Sequence, residues 1–334
     1  MEEHDAAALA GLLHGAGRRL FAQHRLLCRR QPSVLDALLR RFAGPSSVEQ
    51  GSLRPWAESM IRAYWACGGH MDAPMARDDL VTAVAAFAAC MGALEIFDDL
   101  VDGDEPDGGQ QAPNLALAFI GESTALLARL SPPRAAPLIA AWGDLWMRCA
   151  AAQAGDVALS GRRDLTVEQA VAVAEGCGLF TRWPIEAGAL LAGPADNVRA
   201  PLMEFGQHLG TAEKLLHDIH DLWPGERSSH DLHRPTCNLA LAVVRKHCIL
   251  TIGRDGAAFD DDTLRRHIHE SGALHYAWAY ADQYRLRAAD ALDRFARAGG
   301  DPAPLVPLLA LSPELRAARL DDSDAPIAFA APVP

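Results

Sequence analysis

Apolar residues recur at helical spacing along almost the whole chain, and short breaks that contain Pro, Gly, Asp or Ser separate the helical segments. Runs in which apolar and polar residues alternate, as they do in half-buried strands, are scarce. This pattern predicts an all-α fold. The predicted helices cover residues 5–29, 33–43, 47–67, 77–101, 112–130, 134–155, 166–191, 197–222, 236–252 and 261–297.

Residues that cap helix N-termini precede several of these segments. Asp78 and Asp79 stand before "LVTAV", Thr166 stands before "VEQAV", and an acidic run at 260–262 precedes "TLRRHI". The side chains of Asp and Thr accept hydrogen bonds from the free backbone N–H groups of a helix start. We therefore interpret these acidic residues as structural.

The size and composition of the chain favour one large folded domain. It has 334 residues, of which 50% are apolar and 22% are charged, enough for a hydrophobic core. No Gly/Ser-rich linker divides the sequence near its middle. We predict a single helical bundle over residues 1–320 and a loose tail, rich in Pro and Ala, over residues 321–334.

Net charge and cysteine usage exclude several classes of partner and cofactor. A net charge of -12 argues against a nucleic-acid partner, which would require clustered Lys and Arg. The seven cysteines are scattered and lack CxxC spacing, so neither a disulfide framework nor a zinc site is indicated. We predict reduced and mostly buried thiols.

The most apolar stretch of the chain runs from residue 80 to residue 97 and approaches the length of a membrane span. It is rich in Ala, contains Thr82 and Glu95, and leads directly into aspartates, so we predict a buried core helix and no membrane span. The N-terminus is acidic and carries Arg18 and Arg19 after its apolar part, the reverse of a secretory signal. A cytoplasmic location is expected.

A cluster of carboxylates follows this apolar stretch, in "ALEIFDDLVDGD". Carboxylates near a helix C-terminus face the negative end of the helix dipole, at a cost of about 0.3–1 kcal/mol each. Residues 95, 98, 99 and 102 have the spacing i, i+3, i+4 and i+7, which places their oxygen atoms along one helix face. Such a stripe suits hard cations such as Mg²⁺. A solvated acidic turn is the alternative interpretation.

A second acidic cluster lies near the end of another predicted helix, in "GTAEKLLHDIHDLWPGERSSHDL". Asp218 and Asp221 stand three residues apart, with His217 beside them. We expect the two acidic helix faces to oppose each other across the bundle and to hold metal ions that bridge to a diphosphate.

The order and spacing of these segments resemble the isoprenyl diphosphate synthases and the related class I terpene synthases. The segment "DDLVD" matches the first aspartate-rich DDxxD motif of that family, and "GTAEKLLHDIHD" resembles the second. The segments "SSHDLHRPTCNLALAV" and "GALHYAWAYADQYRLRAADAL" resemble the family's Ser-Asp-Leu and Lys-Thr-Leu-Pro segment and its closing helix. The likeness extends from about residue 45 to residue 310.

The resemblance implies a helical bundle around a deep central apolar cavity, with Mg²⁺ bound by the two motifs at its mouth. It implies that the metal ligands are Asp98, Asp99, Asp102, Asp218 and Asp221, and that the first three are also catalytic. Bound metal ions would draw the diphosphate from an allylic isoprenoid and leave a carbocation in a dry pocket. A homodimer is also implied.

Basic residues with which chain-elongating members of the family bind isopentenyl diphosphate are largely missing. Gly51 and Ser52 stand in the places of Lys and Arg, and Glu175 and Gly176 stand where a Lys-Thr pair is expected. An acceptor diphosphate would then keep its charge unneutralised in a partly desolvated site. We therefore expect a terpene synthase that ionises one prenyl diphosphate and cyclises the carbocation.

Small residues one turn before "DDLVD" favour a long prenyl tail, so geranylgeranyl diphosphate (C20) is the preferred substrate over the C15 diphosphate. The residues predicted to contact the substrate are Lys214, Arg227, Arg234, Phe87, Ala93, Leu94, Phe180 and Trp183. Aromatic faces stabilise cations by about 0.5–2 kcal/mol each, but ordinary core packing is the alternative role of each aromatic residue. Lys214 stands where the family has Gln and either reaches the diphosphate or pairs with a carboxylate. Tyr284 and Arg285 are weaker candidates for contacts with the leaving group.

Other functions stay open at this point. A prenyltransferase or an isoprenyl diphosphate synthase would use a peptide, a small molecule or isopentenyl diphosphate as acceptor. His217 and Asp218 also form the His-Asp pair of metal phosphohydrolases, with His208 or His220 as partners, but that function leaves the first acidic cluster unexplained. Because His217 replaces an acidic residue and Mg²⁺ prefers oxygen ligands, a non-catalytic partner subunit is a further alternative.

Overall fold

The computed structural model describes residues 54–70, 74–102, 110, 112–160, 162, 164–222, 237–248 and 261–310. Within these ranges the chain forms helices and turns and no strand, which confirms the all-α prediction. The helices are α1 (Arg54–Ala66), α2 (Pro74–Asp102), α3 (Ala112–Leu127), α4 (Pro132–Leu159), α5 (Val167–Cys177), α6 (Leu179–Ala192), α7 (Asp196–Leu222), α8 (Leu239–Cys248), α9 (Asp261–Glu270) and α10 (Ala273–Arg297). A 3₁₀ turn follows at Val306–Leu309. The helices predicted over 5–29 and 33–43 and the tail over 321–334 lie outside the described residues.

The helix predicted over 166–191 is divided at Gly178 into α5 and α6. A Cβ atom at Gly178 would lie 2.8 Å from Thr211 Oγ1 and 2.9 Å from the carbonyl oxygen of Gln207. A Cβ atom at Gly210 would lie 2.5 Å from the carbonyl oxygen of Gly178. The junction of α5 and α6 therefore packs directly onto the backbone of α7, at a distance that two glycines permit.

The helix predicted over 261–297 is also divided. Gly272, which follows the end of α9, has φ 69°, in the left-handed region that favours glycine. Its N–H group donates a hydrogen bond of 3.1 Å to the carbonyl oxygen of His269. This conformation closes α9, and the chain begins a new helix, α10, at Ala273.

The cap predicted at Thr166 is confirmed, and the caps predicted at Asp78 and Asp79 are wrong. Thr166 Oγ1 accepts a hydrogen bond from the Gln169 N–H at 3.2 Å, and Gln169 Oε1 accepts one from the Thr166 N–H at 3.0 Å. Helix α2 begins earlier than predicted, at Pro74, because proline suits the first turn of a helix. Both aspartates therefore lie inside α2.

The carboxylate of Asp79 binds the start of α4 instead. It is 4% exposed and accepts hydrogen bonds from the Ser131 backbone N–H at 3.1 Å and from the Ser131 hydroxyl at 2.7 Å. Arg134 forms an ion pair with the same carboxylate at 2.8 Å. Burial opposes ionisation of Asp79, but the hydrogen bonds from Ser131 and Arg134 outweigh it and lower the pKa of the carboxyl group.

The chain divides into two compact units, and the prediction of one domain over residues 1–320 stays a prediction. The first unit contains Met1–Leu145, Trp183–Met203 and Leu292–Leu308, and the second contains Trp146–Arg182, Glu204–Ala291 and Leu309–Pro334. Large side chains that are fully buried in the first unit are Met60, Ile61, Leu80, Phe87, Ile96, Leu126, Leu127 and Phe295. A buried hydrogen bond from the Ser123 hydroxyl to the carbonyl oxygen of Ala86, 2.7 Å long, joins α3 to α2 in this core.

The core of the second unit contains side chains from α5, α7, α8, α9 and α10. Among them are Val173, Ala174, Leu215, Leu216, Ile219, Leu241, Val244, Ile268, Leu274 and Ala277. Leu215, Leu216 and Ile219 lie at i, i+1 and i+4 on α7, so one face of this helix is committed to the core. The other faces of α7 carry its polar residues.

Helix α2 is the described helix that is long and apolar enough to cross a membrane, by length and composition alone. Its most apolar window is 78% buried inside the structure. Burial to this extent is typical of a core helix, the role predicted for it.

Most of the cysteine side chains that the structure describes are buried, in agreement with the prediction. Cys90, Cys149 and Cys237 are buried, whereas Cys67 and Cys177 are half-buried. Burial raises the pKa of the Cys67 and Cys149 thiols to about 12.

Candidate functional site

The first acidic cluster lies on the last turns of α2, in the first unit. Because α2 continues without a break to Asp102, the backbone confirms that Glu95, Asp98, Asp99 and Asp102 share one helix at the predicted spacing. Asp98 is exposed, while Glu95 and Asp99 are half-buried. The side chain of Asp102 lies outside the described part of the structure.

The residues one and two turns before these carboxylates are small and buried. Cys90 and Ala93 are fully buried, and Leu94 is half-buried. This is the environment expected next to a prenyl tail and also that of an ordinary core. The prediction of a deep apolar cavity stays a prediction.

Three aromatic rings pack together inside the first unit. The rings of Phe87 and Trp183 are stacked, with centroids 5.0 Å apart and an angle of 19° between their planes. The ring of Trp142 is tilted by 56° against that of Trp183, with the two centroids 4.8 Å apart. The Nε1–H group of Trp183 is buried and has no hydrogen-bond partner among the described residues. Phe180, also predicted to contact the substrate, is half-buried and belongs to the second unit.

The second acidic cluster lies on the last turns of α7, in the second unit. Asp218 is 4% exposed, and its Oδ1 atom lies 2.8 Å from the Nζ atom of Lys214, one helical turn earlier. Lys214 therefore pairs with a carboxylate in the structure, which is one of the two roles predicted for it; the other is a contact with the diphosphate. Asp221 lies on the same helix, but its side chain is outside the described part.

The backbone of Asp218 is also held in place. Asn238, which is buried, donates a hydrogen bond of 2.9 Å from Nδ2 to the carbonyl oxygen of Asp218. Its Oδ1 atom accepts a hydrogen bond of 2.9 Å from the Ala240 N–H and so caps α8. One amide side chain therefore connects the end of α7 to the start of α8.

The ring of His217 contacts the backbone of its own helix. Its Nδ1 atom lies 2.9 Å from the carbonyl oxygen of Glu213. Because a carbonyl oxygen can only accept a hydrogen bond, Nδ1 carries a proton, and Nε2 has a lone pair in the neutral form of the ring. The side chain is exposed, so this part of the second cluster presents an imidazole nitrogen instead of a carboxylate.

Glu213 is a functional candidate that the sequence reasoning missed. Its Oε2 atom accepts a hydrogen bond of 2.6 Å from the Thr181 hydroxyl, which links α7 to α6. Burial raises the pKa of Glu213, and the hydrogen bond from Thr181 and the charge of His217 oppose that shift. The i, i+4 spacing of Glu213 and His217 in "EKLLHD" was the available signal.

Glu175, for which the resemblance predicts a lysine position, is bound by residues of two other helices. The hydroxyl of Tyr284 donates a hydrogen bond of 2.6 Å to Glu175 Oε1, and Gln207 Nε2 donates one of 2.7 Å to its carbonyl oxygen. The guanidinium of Arg287 lies over the Tyr284 ring, 4.9 Å from the centroid. Burial, followed by the contact with Glu175, raises the pKa of Tyr284.

Arg285 is bound by residues that belong to neither acidic cluster. Its Nη1 atom pairs with Asp282 at 2.9 Å, and Nη2 donates a hydrogen bond of 3.0 Å to the carbonyl oxygen of Leu309. These contacts give Arg285 a structural role at the end of the 3₁₀ turn. The other two predicted cations, Arg227 and Arg234, lie outside the described residues.

The donor atoms of the described side chains indicate how well a divalent metal ion would fit each cluster. Among them, no group of three or more His, Cys, Asp or Glu residues is gathered closely enough to hold a metal ion. Asp98 and Asp99 offer the oxygen donors that Mg²⁺ prefers, so the first cluster fits this metal. Asp218 fits less well, because its carboxylate already has a cationic partner.

Solved structures resemble this chain over nearly its whole length. The geranylgeranyl pyrophosphate synthase of Corynebacterium glutamicum, complexed with isoprenyl diphosphate and magnesium, superposes with a TM-score of 0.69 at 16% identity, covering 90% of this chain and 98% of that one. For the geranylgeranyl pyrophosphate synthetase of the archaeon Geoglobus acetivorans the TM-score is 0.67 at 15% identity, covering 90% and 97%. For a polyprenyl synthetase of Streptomyces coelicolor A3(2) it is 0.63 at 18% identity, covering 91% and 100%.

The chain therefore has the all-α fold of the isoprenyl diphosphate synthases, which confirms the resemblance inferred from its sequence. In sequence, it is similar to the (2E,6E)-farnesyl diphosphate synthases of Mycobacterium bovis and Mycobacterium tuberculosis, at 29% identity over 142 residues. That match spans 38% of this chain and 39% of the length of these curated relatives. No family model matches the chain.

Proposed function

We propose that this protein is an enzyme that ionises a prenyl diphosphate and transfers the prenyl group to an acceptor, as a prenyltransferase or isoprenyl diphosphate synthase. The observation that carries the proposal is the acidic stripe at the end of α2, on one unbroken helix, in a chain with this fold. The names of the relatives, which include geranylgeranyl and farnesyl diphosphate synthases, support it.

Asp98, Asp99 and Asp102 are the proposed ligands of Mg²⁺ in the first cluster, and Asp221 is the proposed ligand in the second. When bound, Mg²⁺ supplies positive charge that stabilises the departing diphosphate. Asp218 differs from these residues because its carboxylate is already paired with Lys214. Arg227 and Arg234 remain proposed contacts of the diphosphate.

The apolar interior of the first unit supports a role in excluding water from the cation. Phe87 and Trp183 have stacked rings, Ala93 is buried, and Leu94 is half-buried in the helix that carries the acidic stripe. We propose that these residues contact the prenyl tail and that geranylgeranyl diphosphate is the preferred substrate. Aromatic faces next to a cation contribute about 0.5–2 kcal/mol each.

Cyclisation of the cation without an acceptor, as in a class I terpene synthase, is the second candidate function. It is favoured by Glu175, which occupies the place of a basic residue and is hydrogen-bonded to Tyr284 at 2.6 Å. A carboxylate held there repels a diphosphate, so the binding of isopentenyl diphosphate is disfavoured. The acceptor is then absent, or it is a peptide or small molecule without a diphosphate.

The remaining alternatives have less support. A metal phosphohydrolase that uses His217 and Asp218 would need a fold of another kind, and Asp218 is ion-paired. A non-catalytic partner subunit would bind no substrate. We also propose that the protein is cytoplasmic and forms a homodimer.

Product analysis tests the proposed function. The protein is incubated with Mg²⁺ and geranyl, farnesyl or geranylgeranyl diphosphate, with and without isopentenyl diphosphate, and the extracts are analysed by gas chromatography after phosphatase treatment. A longer linear product supports transfer to isopentenyl diphosphate, and a hydrocarbon or cyclic alcohol without acceptor supports cyclisation. The Asp98→Asn variant is expected to lose at least about a hundredfold of either activity, because it removes a charge from the acidic stripe. Turnover equal to wild type in this variant would reject the metal role of Asp98.

A further inference from the structure

The second acidic cluster contains its own cation. Lys214 Nζ lies 2.8 Å from Asp218 Oδ1, and the side chain of Asp218 is 5% exposed, against 34% for that of Lys214. Removing a carboxylate from water to this extent is unfavourable unless a positive charge compensates it. Here the compensating charge is an ammonium group that belongs to the chain.

The position of Asp218 is set by contacts that do not depend on a metal ion. The carbonyl oxygen of Asp218 accepts the hydrogen bond from Asn238, and Asn238 in turn caps α8. Lys214 and Asp218 also lie one turn apart on the same helix, so the geometry of α7 alone brings the two side chains within reach of each other.

The neighbouring groups do not restore an oxygen-rich metal site. His217, at the first acidic place of the motif, presents Nε2 because Nδ1 is bound to the Glu213 carbonyl oxygen. The carboxyl group of Glu213 accepts its hydrogen bond from Thr181 and points toward α6. Imidazole nitrogen is a poor ligand for Mg²⁺.

We propose that Lys214, held in place by Asp218, replaces one metal ion at the second acidic cluster and provides a permanent positive charge for the diphosphate. Asp218 is then a positioning residue for Lys214 and does not bind metal. This inference rests on the proposed function, in which a diphosphate binds to the protein. It predicts that fewer divalent ions accompany the diphosphate than two intact acidic motifs would recruit.

The test measures binding, with inorganic pyrophosphate and Mn²⁺ as probes, and requires no turnover. Isothermal titration calorimetry in the presence of EDTA gives the affinity of wild type, Lys214→Gln and Arg199→Gln for pyrophosphate without metal. Arg199→Gln is the matched control, because it breaks an exposed Arg199–Asp196 ion pair of 2.8 Å on the same helix. We expect Lys214→Gln to weaken metal-free binding by about tenfold or more and Arg199→Gln to leave it unchanged.

The number of bound Mn²⁺ ions is then counted by electron paramagnetic resonance in the presence of saturating pyrophosphate. Asp218→Asn is expected to bind as many ions as wild type, and Asp98→Asn is expected to bind fewer. Lys214→Gln, which leaves Asp218 without its ammonium partner, is expected to bind an additional ion or to bind Mn²⁺ severalfold more tightly. Thermal unfolding of each variant verifies that it is folded. If Asp218→Asn does not fold, the measurements on Lys214→Gln alone test the inference.

Two results would overturn the inference. One is equal metal-free affinity for pyrophosphate in wild type and Lys214→Gln, and the other is a lower Mn²⁺ count in Asp218→Asn. Neither result bears on whether wild type forms prenyl products, so the proposed function would survive it. Conversely, an absence of prenyl products with the Lys214→Gln effects intact would reject the proposed function alone.

Discussion

The Tyr284 hydroxyl donates a hydrogen bond of 2.6 Å to Glu175 Oε1 and joins α10 to α5 within the second unit. The phenol is 4% exposed, whereas the carboxylate reaches solvent. This pair places an acidic group where the relatives of the fold are expected to carry a lysine. The contribution of this hydrogen bond to the stability of the protein can be measured without an activity assay.

Replacing Tyr284 with Phe should destabilise the protein by about 1 kcal/mol at pH 7, the usual net value of one hydrogen bond. The pKa of Tyr284 is raised above its unfolded value of 10.0, by burial first and then by Glu175. Its contribution to stability is therefore complete below pH 10 and is lost as the pH rises from there through the folded-state pKa. Urea unfolding of wild type and Tyr284→Phe between pH 7 and pH 11 should show their difference shrinking above about pH 10. A difference that grows with pH would contradict this assignment.

Replacing Gly210 with Ala should destabilise the protein by about 1–3 kcal/mol or more, as expected for overpacking against backbone. The new Cβ atom would lie 2.5 Å from the carbonyl oxygen of Gly178 and 2.8 Å from Thr181 Cβ. Gly155 in α4 is the matched control, because a Cβ atom there has nothing within 4 Å. Gly155→Ala should stabilise by up to about 1 kcal/mol through helix propensity. Thermal unfolding of both variants measures the two changes in stability. Similar changes in Gly210→Ala and Gly155→Ala would refute the prediction.

Replacing Asp79 with Asn should cost about 1.5–3 kcal/mol at pH 7, because it weakens charged hydrogen bonds to Ser131 and Arg134. The pKa of Asp79 is lowered below 3.8 despite its burial. The stabilisation from the ionised carboxylate is thus present above pH 3.8 and is lost as the pH falls through the folded-state pKa. Denaturant unfolding of wild type and Asp79→Asn should therefore converge in strong acid.

Asp164→Asn is the control for this experiment. Asp164 forms an exposed ion pair with Arg162 at 2.6 Å, and exposed pairs contribute little to stability. The control should unfold with wild type at every pH. An Asp79→Asn variant that behaves like the control would show that the buried carboxylate does not hold α4 to α2.

Replacing Trp183 with Phe should cost less than about 1.5 kcal/mol, whereas Trp183→Ala should cost about 3–5 kcal/mol. Phe keeps a ring against Phe87, 5.0 Å away, and removes a buried N–H group that has no partner among the described residues. Removing that group relieves a desolvation penalty and offsets part of the lost contact area. Urea unfolding measures both changes, and equal losses would contradict the expectation that a ring packed against Phe87 preserves most of the stability.

The all-α class was predictable because helical periodicity is a local property of the chain. The same holds for the cap at Thr166, where donor and acceptor lie three residues apart. The acidic stripe at the end of α2 was also predictable, since its spacing within one helix determines that its members share a face. The two helix divisions had weaker signals. Gly178, which follows the end of α5, lies against Gly210 of α7, and no local pattern reveals that contact.

The partners of the polar residues depend on packing between segments that are distant in sequence. Asp79 looked like a cap for its own helix, yet its carboxylate binds Ser131, 52 residues later. Glu175 looked like a missing lysine, yet it accepts a hydrogen bond from Tyr284, 109 residues later. Local spacing established which side chains lie together on a helix, because that geometry repeats every turn. Which charges are buried, and what neutralises them, follows from contacts between helices, whose energies depend on the folded chain as a whole.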